Sequence, residues 1–499
     1  MARAFWLSWI QPMKNLYHNP HRQRLLQVLT LMGVLYVLMW MLALGLMGVP
    51  LYASWVQHQP LNTPEWTAEV AGLLLLWAIV PRYRHFRPPG PRIHLSEHPR
   101  LRSLLQDIAQ ETGQPLPDEI YLMLENNAWV QESTFVVFRG KRRMGLGLPL
   151  MQVLSEQEFK AVLGHEYGHY QAGDTRLGGF LYGTRQAMIR TVKTLEGSVF
   201  NGPFLWYGTL FLQMTQTISR QQEMTADRLG ATLTSPETMC SALRKVSTLG
   251  STFEAYWETE VLPVLNTGHH PPILEGYLHY LQSEDARNLR DPEQEDAFDT
   301  HPSLETREDA LMRMVRKELS DEGHSALGLL EGSSELERVV LRHFAGSDAD
   351  HFQTLHWTEV GEKVWIPLWQ AQLVLYRSAF QALCWLDLAE KLGSYQSRHQ
   401  LLARLKPASQ VNEDLSWHHL RLQVVLALHG QGWQVYTLPG EQVVCQRKGH
   451  QVQPFEDLLN IKEGKLTSGA WLEHLQGMGI KTDSPLLEGQ QGRSFSNAD

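Results

Sequence analysis

Residues 164–174 read GHEYGHYQAGD, with His165 and His169 four positions apart and Glu166 directly after the first. Four residues of an α-helix turn through about 400°, so both imidazoles fall on one face, one turn apart. Two neutral imidazoles placed that way can grip a zinc ion, and Glu166 stands beside them to handle a water. The flanks suit a helix: Ser155 with Gln157 and Glu158 marks a start, and Phe159, Val162 and Leu163 supply an apolar face. In a chain with 22 histidines this pattern decides nothing alone, so the rest of the site has to be found elsewhere.

A catalytic zinc takes three protein ligands and leaves a position for water. Residues 219–230 read SRQQEMTADRLG and place Glu223 and Asp227 one helical turn apart. Glu223 is the candidate third ligand. Asp227 is then placed to accept the free N–H of a coordinated histidine and fix its tautomer. Asp174, five residues beyond His169, could orient the metal helix or begin the turn after it.

Other elements must position these groups. Residues 101–112 read as an amphipathic helix ended by Gly113, and residues 119–125 (EIYLMLE) as a strand followed by the turn-forming pair Asn126-Asn127. Residues 135–138 and 144–148 read as two further short strands. A strand edge beside the metal helix could hold an extended peptide by backbone hydrogen bonds, or the sheet could serve only to pack the helix.

At 499 residues the chain has room for two or three domains, and 43% hydrophobic with 19% charged residues describes a globular protein of low charge. A net charge of -9 argues against a nucleic-acid partner. Cys240, Cys384 and Cys445 are too scattered for a disulfide framework or a thiolate metal site.

No Lys, Arg, Asp or Glu occurs between residues 25 and 64, and residues 25–48 are long and apolar enough to cross a bilayer. Residues 66–80 form a weaker candidate that carries Glu69. Arg3, Lys14, Arg22 and Arg24 precede the first segment and Arg82, Arg84, Arg87 and Arg92 follow the second, while the connection between them has no Lys or Arg. The positive-inside rule then makes the two a hairpin with both flanks in the cytoplasm. If the second segment merely lies on the surface, everything after it faces the other side.

HEYGHYQAGD, the later SRQQEMTAD, NNAWV at residues 126–130 and HPSLETR at residues 301–307 together resemble the HtpX and CaaX-prenyl-protease (Ste24-like) family. These are membrane-associated gluzincin zinc metallopeptidases. The resemblance covers residues 101–315 and implies that His165, His169 and Glu223 bind one zinc ion and that Glu166 is the catalytic base. It also implies that Asn127 and Ala128 lie by the strand that holds substrate, and that His301 approaches the active site. A capping residue before a helix is the other reading of His301, and Tyr256 is a second candidate for stabilising the oxyanion. HtpX-like members carry two membrane helices between the HExxH and the third ligand. Here residues 178–218 include Arg185, Arg190, Lys193 and Glu196, so the first half is no span.

Beyond residue 323, helical periodicity recurs at 335–344, 368–392 and 415–428, residues 433–438 and 442–447 flank Pro439-Gly440 as a β-hairpin, and residues 468–478 add a last helix. The histidine pair in residues 266–272 reads as a solvated turn, and tryptophans 357, 365, 369 and 385 read as core. The expected fold is α+β and mainly helical. Residues 1–92 form the membrane hairpin and linker, 93–320 a zincin-type peptidase domain, 321–430 a helical spacer and 431–499 a small α+β module. The expected activity is hydrolysis of peptide bonds in protein or peptide substrates by a multi-pass protein of the inner membrane, its catalytic part cytoplasmic and engaged in quality control of membrane or misfolded proteins. The alternative from another class is a zinc-stabilised scaffold or chaperone.

Overall fold

The structure is a computed structural model that describes residues 20–79, 86–132, 141–171, 205, 209, 220–289, 302–315, 323–380, 383–405 and 413–487. Asp174, His301 and the strand expected at residues 135–138 lie outside the described residues. The chain divides into two compact units.

In the first unit, helices Pro20–Gln57 and Thr63–Ile79 pack together. The first continues through Pro50, well past the end expected at residue 48, because the apolar run does not stop there. The window that is long and apolar enough for a span lies at Val37–Gln57. The pair is inside-out for a water-soluble fold: Ala43, Glu69 and Gly72 are buried, whereas Val37, Leu38, Leu44, Trp55, Val70, Leu74 and Trp77 are exposed.

Four strands follow: β1 (Arg92–Ile93), β2 (Glu119–Met123), β3 (Ala128–Glu132) and β4 (Arg142–Gly147), in the spatial order β1-β2-β4-β3. β2 and β4 run parallel and every residue of β2 is buried, as expected of a strand covered on both faces. β3 was not foreseen as a strand. Its sequence, AWVQE, is too short for a period-two pattern to show, and the turn signal of Asn126-Asn127 overshadows it. Among the described residues it pairs only with β4, antiparallel, and lies at one edge of the sheet. Gly147 donates to the Asn127 carbonyl (2.9 Å), which sets the alternation: Trp129 and Gln131 face β4, and Ala128, Val130 and Glu132 turn their backbone groups outward.

The metal helix, Glu156–Gln171, starts at a reciprocal cap. Glu158 N–H donates to Ser155 Oγ (3.1 Å), and Ser155 N–H donates to the Glu158 carboxylate (2.8 Å). That carboxylate also receives Ser241 Oγ (2.7 Å) and Lys245 Nζ (2.6 Å), so the helix start is tied to helix Pro236–Tyr256.

The second unit holds residues 124–126, 248–292 and 332–499. Phe253, Tyr256, Tyr277, Tyr280 and Trp357 form an aromatic cluster. His269 and His270 are not a solvated turn. They pair in parallel with Gln353–Thr354, and His270 is buried 3.6 Å from Glu337, whose carboxylate takes the N–H groups of Ile273 and Leu274 at 2.9 Å each. The long helix expected over residues 368–392 is broken into Ile366–Leu373, Val374–Tyr376, Arg377–Phe380 and Trp385–Gly393, with Cys384 and Asp387 capping the last. A single core runs through these helices to Leu486 and includes Trp369, Trp385, Trp417, Trp433 and Trp471. Strands Gln434–Tyr436, Val444–Arg447 and His450–Val452 form an antiparallel sheet with one strand more than the expected hairpin.

Candidate metal centre and active site

Glu223 and Asp227 lie on a helical stretch over residues 220–233, which crosses the metal helix with almost nothing between the backbones. A Cβ on Gly168 would stand 2.6 Å from Ala226 Cα, one on Gly164 3.0 Å from Gly230 Cα, and one on Gly230 2.6 Å from the Ala161 carbonyl. Two small residues four apart on each helix permit this approach, which is what lets a Glu side chain reach the two imidazoles.

His165 Nε2 and His169 Nε2 face each other at 3.2 Å with their rings nearly perpendicular. Glu223 Oε2 stands 3.5 Å from the first and Oε1 3.7 Å from the second. Ligands about 2.05 Å from a tetrahedral ion lie about 3.4 Å from one another. The donor types and the separations therefore both fit a small divalent cation. Among the described residues these three form the only group of His, Cys, Asp or Glu so arranged.

Asp227 accepts from His165 Nδ1 at 2.9 Å, which directs the Nε2 lone pair at the cluster. Burial opposes charge on Asp227, but Arg307 and His165 outweigh it and hold the carboxyl below its ordinary range. Arg307 reaches Asp227 with two bonds, Nε to Oδ2 (2.7 Å) and a terminal nitrogen to Oδ1 (2.6 Å). Composition gave Arg307 no role. The only signal was its place as the last residue of HPSLETR, where attention falls on the histidine.

Glu166 lies beside the cluster under β3, and Val130 donates its backbone N–H to the carboxylate. Burial, with the negative charge of Glu223, pushes Glu166 up to about 7; His165 and the Val130 N–H pull the other way. The outward edge of β3, carrying Ala128, thus borders the group suited to accept a proton. Asn127 precedes that strand, its carbonyl bonded to Gly147. Tyr256 is fully buried and its hydroxyl donates to the Ile273 carbonyl (2.8 Å), so it is committed elsewhere.

Residues 95–315 match the model of peptidase family M48. The likeness to that family is carried by this segment. The M48 segment also aligns with proteins described as "Protease HtpX homolog" from Burkholderia mallei (strain SAVP1) and Burkholderia pseudomallei (strain K96243). Each is 25% identical over 235 residues, which is 44% of this chain and 75% of the relative. Among solved structures, the crystal structure of S. mikatae Ste24p is 16% identical and covers 61% of this chain and 66% of that one, with a TM-score of 0.27.

Proposed function

We propose that the chain is a membrane-anchored, zinc-dependent endopeptidase, with His165, His169 and Glu223 as ligands of one zinc ion and Glu166 as general base. The observation that carries this reading is the triangle of two Nε2 atoms and a carboxylate at 3.2, 3.5 and 3.7 Å, with Glu166 adjoining it. Zinc bound there would supply Lewis acidity, polarising a peptide carbonyl and making water acidic enough to attack it. Glu166 takes that water's proton and delivers it to the departing amine, a shuttle suited to a carboxyl raised towards neutrality. Asp227 keeps the His165 proton on Nδ1. Ala128 and the Val130 carbonyl would offer outward backbone groups to an extended substrate segment, the Val130 N–H being held by Glu166, and this would bring the scissile carbonyl near Glu166. The role assigned to Asn127 is to lead the chain into that strand.

Cleavage of casein by the purified protein, with zinc content measured for wild type and Glu166→Gln, tests this. Loss of cleavage with zinc retained supports the enzyme. A wild type that binds zinc and cleaves nothing sinks it in favour of a zinc-stabilised scaffold.

Glu166 must be ionised to act, so kcat/KM should fall as pH drops through its pKa. A cation among the neighbouring ligands favours the carboxylate, so the midpoint of that acidic limb is expected at or below about 7. A pH–rate profile with its acidic midpoint well above neutrality would contradict the assignment.

The inside-out helix pair supports a transmembrane hairpin, buried at Ala43, Glu69 and Gly72 and apolar towards lipid. Together with the arginine bias it supports a cytoplasmic catalytic part, and clients of membrane or misfolded origin suit that reading. A membrane-impermeant thiol reagent added to intact cells should label a cysteine at His58→Cys and spare one at Glu97→Cys; the reverse pattern overturns the orientation.

A further inference from the structure

We infer that Arg307 is a positioning residue of the metal centre, acting through Asp227 on the orientation of His165; this rests on the ligand assignment proposed above. Arg307 lies on helix Leu304–Leu311, whose start is fixed by Ser303 accepting the Thr306 N–H. Its side chain is 12% exposed and that of Asp227 only 2%. A carboxylate so enclosed is costly unless its oxygens are matched. Oδ1 receives both His165 Nδ1 and a guanidinium nitrogen, and Oδ2 receives Arg307 Nε. The planar fork fixes the carboxylate in position and in rotation, which a single bond from His165 would not do.

The rotation matters because it sets the direction of the His165 ring. Asp227 held in one plane leaves a single orientation for Nδ1–H, and so a single line for the Nε2 lone pair. The same guanidinium stands 3.6 Å from Glu223 Oε2, outside hydrogen-bonding range. It therefore offsets the charge of the third ligand without occupying the oxygen that a cation needs. The next residue, Glu308, bonds Arg244 through both oxygens (2.6 and 2.8 Å). Helix Leu304–Leu311 is thus docked twice, and only one of the two ion pairs touches the metal centre. That separates positioning from docking.

The experiment measures zinc affinity by chelator competition, together with kcat/KM, in the full-length detergent-solubilised protein for wild type, Arg307→Met, Arg307→Lys and Glu308→Gln. The expected result is that Arg307→Met weakens zinc binding by about 10–100-fold, as loss of a group orienting a ligand does. Arg307→Lys, which cannot form the fork, should recover only part of this, and added guanidinium ion should restore affinity to Arg307→Met. Glu308→Gln should leave zinc affinity within about twofold, since exposed ion pairs contribute little. Equal losses in Glu308→Gln and Arg307→Met, or no loss in Arg307→Met, overturn the inference while the peptidase reading stands. A wild type without zinc affinity removes both. If Arg307→Met does not fold, Arg307→Lys against Glu308→Gln makes the same comparison.

Discussion

Glu166→Gln is expected to lower kcat/KM by about 10²–10⁴-fold and to leave the zinc content at the wild-type level. The side chain has two separable tasks. Its carboxylate accepts the Val130 N–H, and a Gln carbonyl oxygen at the same place can do that equally well. Its basicity is what glutamine lacks, so proton transfer is lost while the strand stays against the helix. His165, His169 and Glu223 do not depend on it for their positions: His165 is held by Asp227, and the two ligand helices are set by their own contact. Metal analysis beside a peptide-cleavage assay reads both tasks. A variant that keeps full activity removes Glu166 from the reaction, and one that sheds its zinc makes it a structural group.

Gly168→Ala is expected to reduce kcat/KM by about 100-fold and to weaken zinc binding. Helix propensity alone predicts the opposite sign, a gain of about 1 kcal/mol for Gly to Ala in a helix. The space decides it. The added methyl would lie 2.6 Å from Ala226 Cα, about 1 Å inside ordinary contact, and the atom it meets is backbone that cannot rotate away. The helix carrying Glu223 must shift by a comparable distance, and a misplacement of about 1 Å in a reacting constellation costs about 100-fold. Gly250→Ala is the control, since it is also helical and meets nothing within 4 Å. Thermal unfolding and activity measured on both separate propensity from contact. Equal behaviour in the two variants would refute the packing argument.

The side chains of the site were legible in the sequence because their chemistry is local. HExxH places two candidate ligands by helical periodicity, and Glu223 with Asp227 repeats that spacing on a second helix. What brings the two helices together was also written there, as Gly164, Gly168, Ala226 and Gly230, but small residues carry no chemistry and draw no attention. Arg307 was hidden for a different reason. Its importance comes from a partner 80 positions away, and nothing in one sequence pairs distant charges. β3 was missed because five residues beside a strong turn signal do not establish a period. In the second unit, the 3-10 turn at Val374–Tyr376 and the burial of His270 depend on tertiary contacts that override local preference.

The edge of β3 that pairs with no further strand among the described residues would have a cost for a peptidase that carries it. If substrates dock there as proposed, the outward groups of Ala128 and Glu132 and the Val130 carbonyl would read only whether a passing chain is extended, not whose chain it is. On the proposed function, two copies in one bilayer would each be a substrate for the other wherever a stretch of either unravels. Self-nicking would follow from that mode of capture, and the copy least exposed to it would be the one whose own fold leaves the fewest loose ends.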